Sequence, residues 1–69
     1  MAVVELTRER DGLTDMPRLA IRAEDISSVR ILDTKTSAVN VTLRDGAELN
    51  LIAPAGKIGA IYTKIMEAL

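Results

Sequence analysis

The stretch AVNVTLRDGAELNLI, residues 38–52, decides how this chain folds. Its first half alternates Val39, Val41 and Leu43 with Asn40, Thr42 and Arg44. Its second half alternates Ala47, Leu49 and Leu51 with Glu48 and Asn50. A two-residue period of this kind marks a strand with one buried face. Between the halves, Asp45-Gly46 invites a two-residue hairpin loop. That register sets Leu43 opposite Glu48 and Arg44 opposite Ala47, mixing apolar with polar on each face. A three-residue loop, Arg44-Asp45-Gly46, instead sets Leu43 opposite Ala47, Val41 opposite Leu49 and Val39 opposite Leu51. All six then share one face. Because a slip of one residue flips a strand, the hydrophobic pattern selects the second register. The expectation is a type I turn with Gly46 left-handed in a G1 bulge, which makes Asp45 and Gly46 structural turn residues.

Towards the N-terminus the same period recurs three times. Residues 27–32 read as a strand with Val29 and Ile31 inward. Residues 18–22 place Leu19 and Ile21 inward and Arg18 and Arg22 outward. Residues 3–8 place Val4 and Leu6 on one side. The links are a polar loop or broad turn over 9–17, carrying Gly12 and Pro17, a tight turn over 23–25, and a polar turn without glycine over 33–37. Towards the C-terminus the period changes to 3.6. Ile58, Ile61, Tyr62, Ile65, Met66 and Leu69 fall on one stripe of a helix over 54–69. Pro54 suits its first turn. Gly56 and Gly59 weaken its start by about 1 kcal/mol each relative to alanine, so it frays there or lets a backbone come close.

The fold class is therefore α+β and mostly β. It is a five-stranded antiparallel β-meander (strands 3–8, 18–22, 27–32, 38–44 and 47–52) whose apolar face is covered by one amphipathic C-terminal helix. Strong curling would bring it toward a small SH3-like or Sm-like barrel. The 69 residues make a single domain. At that size a core is marginal, and with no cysteine and no histidine neither disulfides nor the usual zinc-ligand sets can staple it. Self-association is the remaining staple, so a homo-oligomer is expected. Val3, Ala20, Leu32 and Ile52 lean to the other sheet face, where together they would form a contact patch.

Nine Lys+Arg against ten Asp+Glu give a net charge of −1, which argues against a general polyanion binder. No apolar run is long enough to span a membrane, and residues 1–10 alternate charges without a signal-peptide core, so the chain reads as cytoplasmic.

For chemistry the sequence offers little. It holds no histidine, no cysteine and no Gly-x-Ser-x-Gly elbow, so an enzyme is not expected, nor a cofactor or a metal. Asp25, Asp33 and Asp45 stand at turns, where such side chains bond local backbone. Glu24-Asp25 alone make a poor cation cage. Gly56-Lys57-Ile58-Gly59 has the spacing of a backbone-clamping G-x-x-G loop, but a strand precedes it rather than a helix. Arg18, Arg22, Arg30 and Arg44 point outward from strands and, with Lys57, are the candidate contacts for an anion or nucleic acid. No aromatic platform accompanies them, since the one aromatic residue, Tyr62, lies on the helix's apolar stripe. Glu5, Glu48, Asp33 and Asp45 are available to pair with these arginines across strands.

Leu6-Thr7-Arg8 with Gly12, Ile26 and Val29, then Val41-Thr42-Leu43-Arg44-Asp45-Gly46 and Leu49-Asn50-Leu51, resembles the FlbD-like small flagellar and swarming-motility proteins. The likeness spans most of the chain. It departs in the longer loop over 9–17 and in Ala53-Pro54-Ala55-Gly56, which replaces a charged helix start. It implies an accessory or regulatory protein without enzymatic activity and transfers no site residues. The second half also resembles LytTR-type DNA-binding domains. The two expectations are a self-associating protein-interaction or accessory module and, alternatively, a nucleic-acid-binding protein using an arginine-bearing sheet face.

Overall fold

A computed structural model describes residues 2–33 and 38–69. The turn expected over 33–37 falls outside them except for the backbone of Asp33. Strand β1 (Val3–Thr7) pairs antiparallel with β2 (Arg18–Arg22), and β3 (Ile26–Asp33), β4 (Ala38–Leu43) and β5 (Glu48–Ile52) form a second antiparallel sheet in that order. Helix α1 (Arg8–Asp11) is a single turn between β1 and β2, and helix α2 (Ala55–Ala68) closes the chain. The mostly-β meander with its C-terminal helix is as expected from the pattern. Its strands divide between β2 and β3, where a 3-10 turn over Ala23–Asp25 redirects the chain, and the two sheets do not close into a barrel.

The central hairpin has the register that the hydrophobic pattern selects. Val39 faces Leu51 and Val41 faces Leu49. Leu43 N–H donates to Ala47 O at 2.8 Å, and Gly46 N–H donates to Leu43 O at 3.0 Å. Gly46 sits at φ +93°, the left-handed conformation that the bulge requires. The Asp45 carboxylate accepts the Ala47 N–H at 2.9 Å, which fixes the turn from within.

The segment over 9–17 is not a plain loop. The Thr7 hydroxyl accepts the Arg10 N–H at 3.1 Å, and the Asp11 carboxylate accepts the Thr7 N–H at 2.9 Å. This reciprocal capping holds one helical turn. Gly12, at φ +82°, ends it by donating to Arg8 O at 3.1 Å. The chain then drops Leu13 fully into the core, and Thr14 N–H donates to Ile52 O at 2.9 Å, tying this segment to the end of β5.

Val4, Leu6 and Ile21 from the first sheet meet Val39, Val41 and Leu51 from the second, beneath Ile58, Ile61 and Ile65 of α2. Gly56 and Gly59 lie inside the helix, and a Cβ on either would meet nothing within 4 Å. Neither fraying nor a close backbone within this chain accounts for them. Three expectations of burial fail and a fourth is met only in part. Ile31 shares the inner face with Val39 yet is 38% exposed, while Met66 and Leu69 are 44% and 55% exposed and Tyr62 is only half-buried. Register shifts at Ile26/Ser28 and Ile31/Asp33 bend β3, and Ile26 rather than Ile31 becomes its fully buried residue.

Candidate interaction surfaces

The three exposed residues lie on one side of the molecule. Helix α2 starts just beyond Ile52, which pairs with Ala38 at the far end of β3. It ends at Ala68 and Leu69, which line a depression together with Ile26 and Ser27 at the near end. The helix thus runs antiparallel to β3. On one flank, Lys64 Nζ reaches Asp11 Oδ1 at 3.5 Å, and Lys57 lies against Gly12. That flank faces α1. At about 100° per residue, Tyr62, Met66 and Leu69 fall on the opposite side of the buried stripe. Since α2 packs on β1, β3, β4 and α1, that second flank faces β3. The β3 edge there pairs with no other strand among the described residues.

The outer face of the second sheet carries a polar ladder. Asn40 Nδ2 donates to Asn50 Oδ1 at 2.9 Å, and Arg30 Nε donates to Asn40 Oδ1 at 3.4 Å. Thr42 also reaches Asn40 Oδ1 at 3.4 Å. Asn40, at the centre of these contacts, is only 4% exposed. Beyond the ladder Leu32 and Ile52 are exposed on this sheet, while Val3 and Ala20 are exposed on the other. The four do not make one sheet-face patch, because they belong to different sheets.

The candidate cations are likewise dispersed. Arg18 and Arg22 belong to β2, Arg30 to β3 and Arg44 to the β4–β5 turn. Arg22 pairs with Asp25 at 3.1 Å and Glu24 at 3.9 Å, and Arg30 pairs with Glu48 at 3.6 Å. Among the described carboxylate side chains offered as cross-strand partners, Glu48 takes this role, reaching past β4 to β3. Arg18 and Arg44 make no ion pair among the described residues, but they stand on different elements. Lys57 lies against Gly12 at the end of α1, on a different element from the four arginines.

Sequence reading missed the Asp11 cluster. Its carboxylate takes the Thr7 N–H, Arg10 Nε at 3.3 Å and Lys64 Nζ at 3.5 Å. Burial pushes its pKa up, but the Thr7 N–H, Lys64 and Arg10 outweigh burial and hold it below the ordinary value. The signal in the sequence was Thr7 four residues before Asp11, close to a capping box but one residue longer. The cluster joins α1 to α2 and is structural. The depression at the α2 C-terminus, about 490 Å³, is lined by small side chains together with Ile26, Leu69, Glu24 and Arg44. Among the described residues, no three acidic side chains converge as a metal cage, and no helix is long and apolar enough to cross a membrane. Compared with known proteins, the chain matches no family model, no curated sequence and no solved structure.

Proposed function

We propose that this domain is a small cytoplasmic, non-enzymatic interaction module that self-associates and serves as an accessory to a protein partner. The observation that carries the reading is the unpaired β3 edge, with Ile31 exposed on that strand and Tyr62, Met66 and Leu69 uncovered along the α2 flank that turns to it. Scattered apolar surface residues are ordinary, whereas a helix flank with several uncovered apolar side chains next to free backbone donors and acceptors is a docking feature. The charged groups point the same way. Two of the four arginines are neutralised within the chain, and the four span two sheets and a turn, which is a poor footprint for a phosphate backbone. The resemblance to FlbD-like proteins agrees with an accessory role.

Size-exclusion chromatography with light scattering tests the reading. A protein-only species heavier than one chain, and growing with concentration, is expected. The chain has no tryptophan and one tyrosine, so bound nucleic acid would dominate the ultraviolet spectrum of the peak. A nucleic-acid-rich peak that shrinks in high salt would replace this reading with the nucleic-acid-binding one.

A further inference from the structure

Resting on that reading, we infer that the partner at this surface is a second copy of the chain, joined by antiparallel pairing of β3 with β3 across a two-fold axis. The result is a continuous six-stranded sheet with two α2 helices side by side on its inner face. Two unmet needs lie next to each other here. The β3 edge presents unpaired N–H and C=O groups. The adjacent α2 flank presents Tyr62, Met66 and Leu69, while Ile31 stands exposed on the strand itself. A peptide strand would pair the edge and leave Met66 and Leu69 wet. A partner helix would cover the flank and leave the edge unpaired. A second copy brings both features in the matching order, as an isologous contact requires.

The area agrees with a dimer in exchange with its monomer. With extents of 28 × 22 × 19 Å, even a whole side of the molecule offers only on the order of 400–600 Å² per partner, near the lower limit of about 1,000 Å² in total for a specific interface. The chain's own chemistry also selects a register. Opposed residues of an antiparallel pair share a face. An axis at Arg30 would set two guanidinium groups against each other. An axis at Ile31 would run the pairing into the irregularity between Ile31 and Asp33. An axis at Val29 sets Val29 against Val29 on the inner face and Arg30 against Ser28 on the outer face, clear of both irregularities at its centre.

The test uses substitutions at four exposed apolar positions and two engineered thiols. Met66→Glu and Ile31→Lys should reduce the mass seen by light scattering to that of one chain while the far-UV spectrum stays unchanged. Val3→Glu and Ile52→Lys, equally exposed but on other faces, should remain dimeric. The chain has no cysteine, so Val29→Cys introduces a single thiol. Opposed residues about 4.5–5.5 Å apart at Cα are within disulfide reach, so mild oxidation should give a covalent dimer, and Val3→Cys should not. A dimer that survives both Met66→Glu and Ile31→Lys overturns the interface. One dissociated by Val3→Glu or Ile52→Lys moves the interface elsewhere and leaves the self-associating module standing. Loss of mass in the first pair without cross-linking at Val29 overturns the register. A wild-type chain that stays monomeric at every concentration overturns both the interface and the functional reading.

Discussion

Three glycines of this chain should respond to alanine in three different ways, and the differences follow from the backbone and the space around each. Gly46 sits at φ +93° with nothing within 4 Å of a built Cβ, so Gly46→Ala meets only the left-handed conformation, about 1–2 kcal/mol for an L residue. Gly12 sits at φ +82°, and a Cβ there would lie 3.1 Å from Lys57 Cγ and 3.2 Å from Pro54 Cδ. The lysine stem can swing aside. The Pro54 ring cannot, because its carbonyl accepts the Lys57 N–H at 2.8 Å and opens α2. Overpacking of this kind adds about 1–3 kcal/mol, so Gly12→Ala should lose about 2–5 kcal/mol in total. Gly59 lies in the helix with open space beyond it and no left-handed strain, so Gly59→Ala should gain about 0.5–1 kcal/mol.

Urea denaturation followed by far-UV circular dichroism measures all three. For a domain of this size each kcal/mol moves the melting temperature by about 4–8 °C, so thermal melts should separate the variants plainly. The unfolded-state gain of glycine-to-alanine exchange is common to all three. The gap between Gly12→Ala and Gly46→Ala therefore isolates the contact of α1 with the start of α2. Equal losses at the two positions would refute that contact. A loss at Gly59 under conditions where the chain is monomeric would refute its placement in an open helix turn.

Leu13→Ala should cost about 2–5 kcal/mol, the range for a fully buried leucine, and a loss below about 1 kcal/mol in the same urea assay would mean that Leu13 is not a core residue. Asp11→Asn should destabilise the protein near neutral pH, since it keeps an acceptor for the Thr7 N–H but loses the charge facing Lys64 and Arg10. A carboxylate whose folded pKa is depressed stabilises fully above its unfolded value, about 3.9, and less as pH falls through the folded one. The gap between wild type and Asp11→Asn should thus close below about pH 4, and a gap that widens on acidification would contradict the assignment. Asn40→Val should leave stability within about 1 kcal/mol, because its partners Arg30 and Asn50 are exposed and can turn to water while valine favours the strand. A loss above about 2 kcal/mol would give the polar ladder a larger structural part.

Strand positions and the hairpin register were legible because each is a statement about periodicity, and periodicity survives in a single sequence. The three-residue loop at Arg44-Asp45-Gly46 was readable for that reason alone, against the pull of the Asp-Gly pair toward a shorter loop. What was not legible depended on one residue at a time. Leu13 stands alone among polar neighbours, so no period announces it, and only the cap by Thr7 and Asp11 with the left-handed Gly12 carries it inward. The division between β2 and β3 likewise rests on the turn at Ala23–Asp25, a three-residue feature with no repeating signal. All four candidate arginines are exposed, Arg44 from the β4–β5 turn rather than from a strand. A two-residue period says which side of a strand a residue takes, but not which sheet the strand joins, and that is why the expected single face of arginines dissolved.

The exposed strip has the same origin, seen from the helix. Going round α2 at about 100° per residue, Ile61, Ile65 and Ile58 cover about 60°, and Leu69, Tyr62 and Met66 widen the apolar arc to about 140°. A stripe that faces one core is about 100° wide. Strand spacing of about 4.8 Å makes the β3-β4-β5 sheet only about 10 Å from edge strand to edge strand, roughly the diameter of one helix with its side chains. On the α1 side the helix finds further cover in the Asp11 cluster and in β1. On the β3 side the sheet stops before the apolar arc does. The sequence therefore encodes more apolar helix than its own three strands can cover, and the shortfall falls at β3, an edge of the sheet where another strand can be added. A fourth strand there extends the sheet by about 4.8 Å, beneath Tyr62 and Met66, and the second copy's α2 meets the remainder.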